Sequence, residues 1–154
     1  MDALNISRAA PTDAGVQDVL EAHHALMRSQ SPAESCHVLD PTELTAAGAV
    51  LFAARSGSTV LGVGAIAPIG PGRAELKSMH TTAAARGRGV GRAILSRLME
   101  EARVQGVTTI WLETGSAPEF AAARRLYMAE GFTECPPFGS YVSDPLSVFM
   151  TRSL

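Results

Sequence analysis

The sequence is poor in cysteine: Cys36 and Cys135 are the only two, and they lie far apart without forming a CxxC pair. Disulfide frameworks and zinc sites both need closely patterned cysteines, so we expect free thiols in a reducing compartment. The four histidines have no metal-ligand spacing either. The sequence therefore predicts neither a disulfide nor a metal site.

Long apolar runs are also missing. The longest, AAGAVLFAA, is well short of the roughly 20 residues that a membrane span needs. The opening residues, MDALNISRAAPTD, lack the basic and apolar regions of a signal peptide. These absences predict a cytoplasmic protein with no membrane partner.

An excess of one charge sign is absent as well. The 154 residues carry a formal net charge of −2, which offers no overall field for nucleic acid. Apolar residues make up 46% and charged residues 18%, as in an ordinary folded globule. This length and composition predict a single domain over residues 1–154 with a sizeable core and no nucleic-acid partner.

Hydrophobic periodicity predicts a mixed α/β fold with the element order β-α-α-β-β-β-α-β-α-β-β. Pro11-Thr12-Asp13 is expected to start the first helix, and Gly48 to end the second. The three strands between residues 49 and 81 form a meander, so the front of the sheet should be antiparallel. The later β-α-β unit should add a parallel pair. We therefore expect a mixed, mostly antiparallel sheet of about six to seven strands flanked by about four helices.

The stretch RGRGVGR, residues 86–92, places glycines at every second position where a long helix should begin. The first turn of a helix leaves backbone N–H groups without partners and carries the positive end of the helix dipole. A phosphate group binds well there if the backbone can come close, which glycine permits. With three arginines adding positive charge, the stretch is predicted to bind a pyrophosphate. A glycine-rich turn with solvated arginines is the simpler alternative.

Two common phosphate-binding motifs are absent. Neither the dinucleotide fingerprint GxGxxG nor the P-loop pattern GxxxxGK[ST] occurs, so both classes of nucleotide site are disfavoured. What remains is Arg86-x-x-Gly89-x-Gly91, placed after a predicted strand and opening a predicted helix.

This remaining motif resembles the (Q/R)-x-x-G-x-(G/A) signature of the GNAT superfamily of N-acetyltransferases. ISRAAPTDAGVQDVL is similar to the first strand and helix of that family, and AAARRLYMAEGF to its late A-x-x-L-Y-x-x-x-G-F helix. The resemblance covers nearly the whole chain and implies the GNAT fold. Four further segments are similar to a bacterial subgroup of small acetyltransferases without an established acceptor: HHALMRSQSPAESCHVLD, ELKSMH, LETGSAPEF and PPFGSYVSDPLSVFM.

The resemblance implies that the glycine loop binds the pyrophosphate of acetyl-coenzyme A (acetyl-CoA), the co-substrate of the family. The matching loop positions are Arg86, Gly87, Arg88, Gly89, Val90, Gly91 and Arg92. In the family, the preceding strand pairs its backbone with the pantetheine arm of the coenzyme. The positions that match this segment are Met79, His80 and Thr81.

Tyr127 matches the tyrosine of the L-Y-x-x-x-G-F helix, which in the family points at the coenzyme sulfur. A phenol with a pKa of about 10 is protonated at neutral pH and can protonate a leaving thiolate. The resemblance therefore implies that Tyr127 is the catalytic acid. The alternative is an amphipathic tyrosine that packs in the core, since Leu126 and Phe132 are close in sequence.

Glu75 lies eleven positions before Arg86, and some family members carry a catalytic glutamate at that spacing. It is therefore the candidate base that takes a proton from an attacking amine. The alternative is a surface carboxylate paired with Lys77, two residues along the same strand face. Glu113, at the end of the next strand, is a rival for the role of base.

Three residues are weaker candidates for the acceptor pocket, on the subgroup resemblance: His23, Ser35 and His37. His23 lies on the apolar face of the first helix, where a packed histidine is the ordinary alternative.

Phe120 departs from the family pattern. Many members carry an asparagine seven residues before the tyrosine, and that asparagine contacts the coenzyme. Either the contact is lost here or another group replaces it, and Ser116 and Arg124 are the candidates.

The resemblance implies an enzyme that moves an acetyl group from acetyl-CoA to a primary amine, with a small molecule as acceptor, by direct attack in a ternary complex. Two alternatives remain: a non-catalytic coenzyme A-binding or sensing module, and an acetyltransferase that acts on protein lysines or N-termini. Many relatives pair through their late strands, so the PPFGSYVSDP segment and the strands beside it predict a homodimer.

Overall fold

The structure is a computed structural model that describes residues 4–30 and 37–154. Within that part of the chain the strands are β1 (Leu4–Ala9), β2 (Val50–Ser56), β3 (Thr59–Gly70), β4 (Arg73–Thr81), β5 (Thr109–Gly115), β6 (Thr133–Cys135) and β7 (Ser147–Ser153). The helices are α1 (Val16–Gln30), α2 (Pro41–Ala46), α3 (Val90–Val104) and α4 (Ala121–Ala129). No helix among these described residues is both long and apolar enough to cross a bilayer.

All seven strands form one sheet, in the order β1-β2-β3-β4-β5-β7-β6. Every neighbouring pair is antiparallel except β4 and β5. The predicted meander, the parallel pair and the numbers of strands and helices are therefore confirmed. Helices α1 and α2 bury one apolar cluster on one face of the sheet, and α3 and α4 bury a second on the other face.

Helix α1 begins at Val16 and not at Pro11, so the predicted start of the first helix is wrong. The Asp13 carboxylate accepts a hydrogen bond from the backbone N–H of Ala10 at 2.8 Å, which fastens a turn instead of capping a helix. Gly15, with φ of +80°, then leads the chain into the helix.

Helices α2 and α4 start in different ways. Helix α2 opens on a capping box, in which Glu43 N donates to Asp40 Oδ1 at 2.8 Å and Asp40 N donates to Glu43 Oε1 at 3.1 Å. Before α4, Pro118–Phe120 forms a single 3₁₀ turn and the α-helix begins at Ala121.

The parallel strands β4 and β5 form a fork. Their ladder joins only Arg73–Glu75 to Thr109–Trp111, whereas β4 runs on to Thr81 and β5 to Gly115. Beyond Glu75, the edge of β4 that faces β5 has no strand partner within the described part of the chain. Its backbone hydrogen-bonding groups are therefore open to a ligand.

A β-bulge bends β4 inside the fork. The ladder with β3 shifts register there, and Ser78 has φ of +55°. A non-glycine residue in this conformation costs about 1–3 kcal/mol. The bulge resets the side-chain alternation, so that Met79 faces α3, where a Cβ on Gly64 would collide with its sulfur, and His80 faces α1.

Candidate active site

A cavity of about 140 Å³ opens in the fork between β4 and β5. Its wall combines side chains from both strands with others from α1, α4 and the segment before α2. The predicted site residues that line it are His23, His37, Glu75, Met79, Glu113 and Tyr127. The fold therefore brings the candidate acid and both candidate carboxylates around one space.

Tyr127 reaches this cavity from α4. It is 6% exposed, and its ring packs edge-on against Phe132 with 5.9 Å between centroids. Its hydroxyl makes no hydrogen bond with any described residue. Burial raises the pKa of this phenol above its usual value of about 10, so it stays protonated at neutral pH. Tyr127 is thus a packed residue whose hydroxyl is still free to donate.

Glu75 stands at the last rung of the parallel ladder and is 5% exposed. Lys77 Nζ lies 3.1 Å from its Oε2, so the anticipated pair is present, but it is buried and not at the surface. The Tyr141 hydroxyl donates to the same oxygen at 2.7 Å and accepts from Lys77 Nζ at 2.8 Å. Burial, and then the charge of Glu75, raise the pKa of Tyr141 and keep it a donor. Among described residues Oε1 has no partner, which leaves it for a ligand.

Glu113 faces Glu75 from the opposite strand. His37 Nδ1 lies 2.8 Å from both of its oxygens, and the Ser147 hydroxyl donates to Oε2 at 2.8 Å. Both oxygens of Glu113 are therefore engaged. When His37 donates through Nδ1, its Nε2 is an acceptor, so this side of the fork holds a histidine–carboxylate dyad.

His23, in the cavity wall, forms a pair with His80, and their Nδ1 atoms lie 3.2 Å apart. His23 is 9% exposed on the buried face of α1. Burial, then the nearby His80 and His24, lower the pKa of His23 from 6.5 to about 3. Burial and Arg86 also lower the pKa of His80. At neutral pH both rings are uncharged, and one donates its Nδ1 proton to the other.

Because of His23, we expect the free energy of unfolding to decrease at acidic pH. Between about pH 6.5 and pH 3 the unfolded chain binds a proton at His23 that the folded protein does not, so stability is lost as pH falls through this window. Lowering the pH from about 7 to about 5 should cost about 2 kcal/mol at this residue. Urea unfolding at both pH values checks this. His23→Phe should remove most of the loss, and His24→Phe, the same change one position along α1, should retain it.

Ser78 is a cavity residue that the sequence analysis missed. Its hydroxyl is buried without a hydrogen-bond partner in the described part of the chain. An unsatisfied buried donor costs about 1–3 kcal/mol and is rare. Together with its positive φ, this places two unfavourable features on one residue, which is typical of functional sites. No sequence signal marks it, because a bulge cannot be located without the strand register.

Residues 86–92 form the turn that starts α3. Gly87 and Gly89 have φ of +78° and +80°, and no atom lies within 4 Å of a Cβ built at either. Gly89 is the N-cap of α3 and provides no side-chain cap, so the first N–H groups stay free. Gly91 has another role, because a Cβ built there would lie only 3.3 Å from Leu126 Cδ2, so its absence lets α3 pack closely against α4. The free N–H groups and the open space above Gly87 and Gly89 suit an anion.

The three arginines of this loop differ in their contacts. Arg86 Nε donates to the Thr81 carbonyl at 3.4 Å, and Arg92 Nε pairs with Glu130 Oε1 at 3.1 Å. Arg88 is exposed and forms no ion pair with a described residue. Residues 86–92 do not line the fork cavity, so any ligand that used both would have to extend from one to the other.

Phe120 lines the cavity and covers Gly115, where a Cβ would overlap the phenyl ring. The two candidates to replace the family's asparagine are both engaged with the backbone. Arg124 Nη1 donates to the Gly115 carbonyl, and the Ser116 hydroxyl donates to the Pro145 carbonyl at 2.6 Å. The Phe120 side chain therefore packs against the end of β5.

Ser35, the remaining acceptor-pocket candidate, lies outside the described residues. Tyr141 and Ser147 contact the two carboxylates and were not predicted. Tyr141 is one of two tyrosines in the chain and stands in a loop rich in proline and glycine. A polar aromatic residue in a loop between two strands is the sequence feature from which Tyr141 could have been predicted as a site residue.

Comparison with known proteins identifies the family. The model of the Acetyltransferase (GNAT) family matches residues 16–132. The chain belongs to the GNAT family. A GNAT relative from Azospirillum brasilense, named IAA acetyltransferase, is 38% identical over 156 aligned residues that cover all of both chains.

Solved structures agree with this GNAT assignment. A provisionally assigned acyl-CoA N-acyltransferase from Klebsiella pneumoniae subsp. pneumoniae MGH 78578 superposes with a TM-score of 0.80 at 31% identity, covering 98% of this chain and 97% of the other. The protein yncA of Salmonella typhimurium, solved with its cofactor acetyl-CoA, has a TM-score of 0.72 at 23% identity and covers 99% and 94%. The expected GNAT fold is thereby confirmed.

Proposed function

We propose that this GNAT protein transfers an acetyl group from acetyl-CoA to a primary amine of a small acceptor, by direct attack in a ternary complex. The observation that carries the proposal is the fork cavity, in which a protonated phenol faces two carboxylates from opposite strands. Acyl transfer to an amine needs a group that removes a proton from the amine and a group that protonates the departing thiolate. The cavity supplies candidates for both.

The chain's own features fit acetyl-CoA. The open edge of β4 beyond Glu75, which includes Met79–Thr81, can pair with the amide groups of a pantetheine arm. The free N–H groups at the start of α3 and the space above Gly87 and Gly89 suit a pyrophosphate. When bound, acetyl-CoA would supply the thioester whose acyl carbon is attacked. The acetyl-CoA complex of yncA, which shares the fold, supports this choice.

Glu75 is the proposed base. Its Oε2 is held by Lys77 and Tyr141, which fixes the carboxylate, while Oε1 is left to accept the proton of an ammonium group. Opposite charge also attracts the ammonium form of the acceptor into the cavity.

Tyr127 is the proposed acid. Its raised pKa keeps the hydroxyl protonated at neutral pH, so the hydroxyl can donate to the sulfur as negative charge develops there. The packing against Phe132 fixes the direction of the hydroxyl, so no reorganisation is needed when charge develops.

The test is a screen of primary amines with acetyl-CoA, in which release of free thiol is followed and products are identified by mass. IAA is added to the screen as a separate test compound because the Azospirillum brasilense relative is named IAA acetyltransferase. At least one small amine should accelerate thiol release well above hydrolysis and gain one acetyl group. If coenzyme A binds but no small amine reacts, the enzyme proposal fails and a sensing module or a protein-directed enzyme replaces it.

Gly89→Asp should weaken coenzyme A binding at least tenfold, about 1.4 kcal/mol. The carboxylate would stand in the open space above the loop and repel a pyrophosphate. Gly89→Asn is the matched control, because asparagine has the same size and also tolerates positive φ. It should lose clearly less affinity by calorimetry. Equal affinities for the two folded variants would contradict an anion site at this loop.

A further inference from the structure

A second cavity of about 190 Å³ lies on the other side of Glu75. It is bounded by the end of β3, by β4 and β5, and by the loop before β7. The side chains that form most of its wall are Ile69, Arg73, Glu75, Trp111, Phe138 and Tyr141. Glu75 is the residue that the two cavities share. A molecule in the second cavity therefore lies beside the Glu75 carboxylate and can present an amine to it.

The wall of this second cavity is aromatic. The rings of Trp111 and Phe138 lie 6.1 Å apart and tilted, and those of Phe138 and Tyr141 lie 5.0 Å apart edge-on. Aromatic surfaces favour an aromatic partner by stacked and edge-on contacts. A cavity of about 150 Å³ with apolar walls is large enough to hold a benzene ring, so this volume also suffices.

The charges in the second cavity orient such a ligand. Arg73 precedes Glu75 by two residues on the same strand face, and its guanidinium carbon lies 4.9 Å from the centre of the Trp111 ring. No carboxylate of the described residues pairs with Arg73. A cationic amine is thus attracted to Glu75 and repelled from Arg73, so the group that enters beside Arg73 is uncharged or anionic.

We infer that the acceptor is an arylalkyl amine, whose ring occupies the second cavity while its amine lies at Glu75. The inference rests on the proposed acetyl transfer and adds the substrate class. It also disfavours diamines, since their second charge would lie near Arg73.

The single tryptophan of the chain gives a direct test, because Trp111 forms part of the cavity wall. Titration with 2-phenylethylamine should change the tryptophan emission saturably. 2-Cyclohexylethylamine has the same length and ring size without a π face, and should bind about 3- to 10-fold more weakly. 1,6-Diaminohexane should give no saturable change at the same millimolar concentrations. This measurement needs no variant and no turnover.

Kinetics provide the second readout. The ratio of kcat/KM for 2-phenylethylamine over that for 2-cyclohexylethylamine should exceed about 3 in the parent protein. In Phe138→Leu this ratio should fall, because the ring that lies between Trp111 and Tyr141 is replaced by an apolar side chain without a π face. Val142→Ala, an exposed position on the same loop, should keep the parent ratio. A ratio within each variant cancels general effects on folding and on coenzyme binding.

The outcomes separate this inference from the proposed function. Saturable emission change together with a ratio above about 3 supports the inference. Absence of an emission change, or equal constants for the two ring amines, overturns it, and acetylation of other amines would then leave the proposed function standing. Binding of 2-phenylethylamine at Trp111 without acetylation of any amine overturns both, because the cavity would then hold something other than an acceptor.

Discussion

Tyr127→Phe is expected to lower turnover by roughly 10²-fold or more while coenzyme A affinity stays nearly unchanged. The hydroxyl makes no hydrogen bond with the described residues, so its removal leaves no partner unsatisfied. Phenylalanine keeps the ring that packs against Phe132, and the melting temperature should move little. The lost interaction belongs to the transition state, and kcat should therefore carry the effect.

Steady-state kinetics on an amine found by the screen, calorimetry with coenzyme A and thermal unfolding measure these three quantities. Met128→Leu is a suitable control, since Met128 is the next residue of α4 and is 55% exposed. It should behave as the parent protein does. If Tyr127→Phe also turns over at the parent rate, the hydroxyl is not the acid and the thiolate takes its proton from solvent.

The parts of the fold that the sequence predicted are those governed by local chemistry. Hydrophobic periodicity predicted α3, and the glycines at 87, 89 and 91 predicted an unobstructed backbone where that helix begins. The meander followed from strands joined by short turns. Asp13 shows the limit of such local rules, because the same side chain suits a helix cap or a turn, and its contact with Ala10 selects the turn.

The site depends on contacts that only the folded chain creates. The fork exists because β4 and β5 pair at only three positions. The residue types of the two strands do not indicate where this pairing ends. Tyr141 and Glu75 are 66 residues apart in sequence, and the loop that joins them in space has no regular pattern. Glu75 and Lys77 could be predicted as a pair from strand alternation, but their burial could not, since it comes from that loop.

The fork holds two possible bases, and paired variants should distinguish them. Glu75 offers a free Oε1, whereas the oxygens of Glu113 are both engaged and its partner His37 offers Nε2. Removal of a general base typically costs 10²- to 10⁴-fold. We expect Glu75→Gln to lower kcat/KM by roughly 10²-fold or more, and His37→Gln to lower it by less than about tenfold.

Glutamine at position 75 keeps an oxygen that can accept from Tyr141, but it leaves the charge of Lys77 without its partner in a mostly buried place. Breaking such a pair can cost about 3–5 kcal/mol, so unfolding must be measured beside the kinetics. Glu75→Asp separates the two effects, because it restores a carboxylate that is one methylene shorter. If Glu75 is the base, the aspartate variant should recover part of the rate that glutamine loses at matched folded fraction. The reverse pattern would be a slow His37→Gln variant and a Glu75→Gln variant close to the parent. In that case the His37–Glu113 dyad would be the base, and Glu75 would only attract the amine.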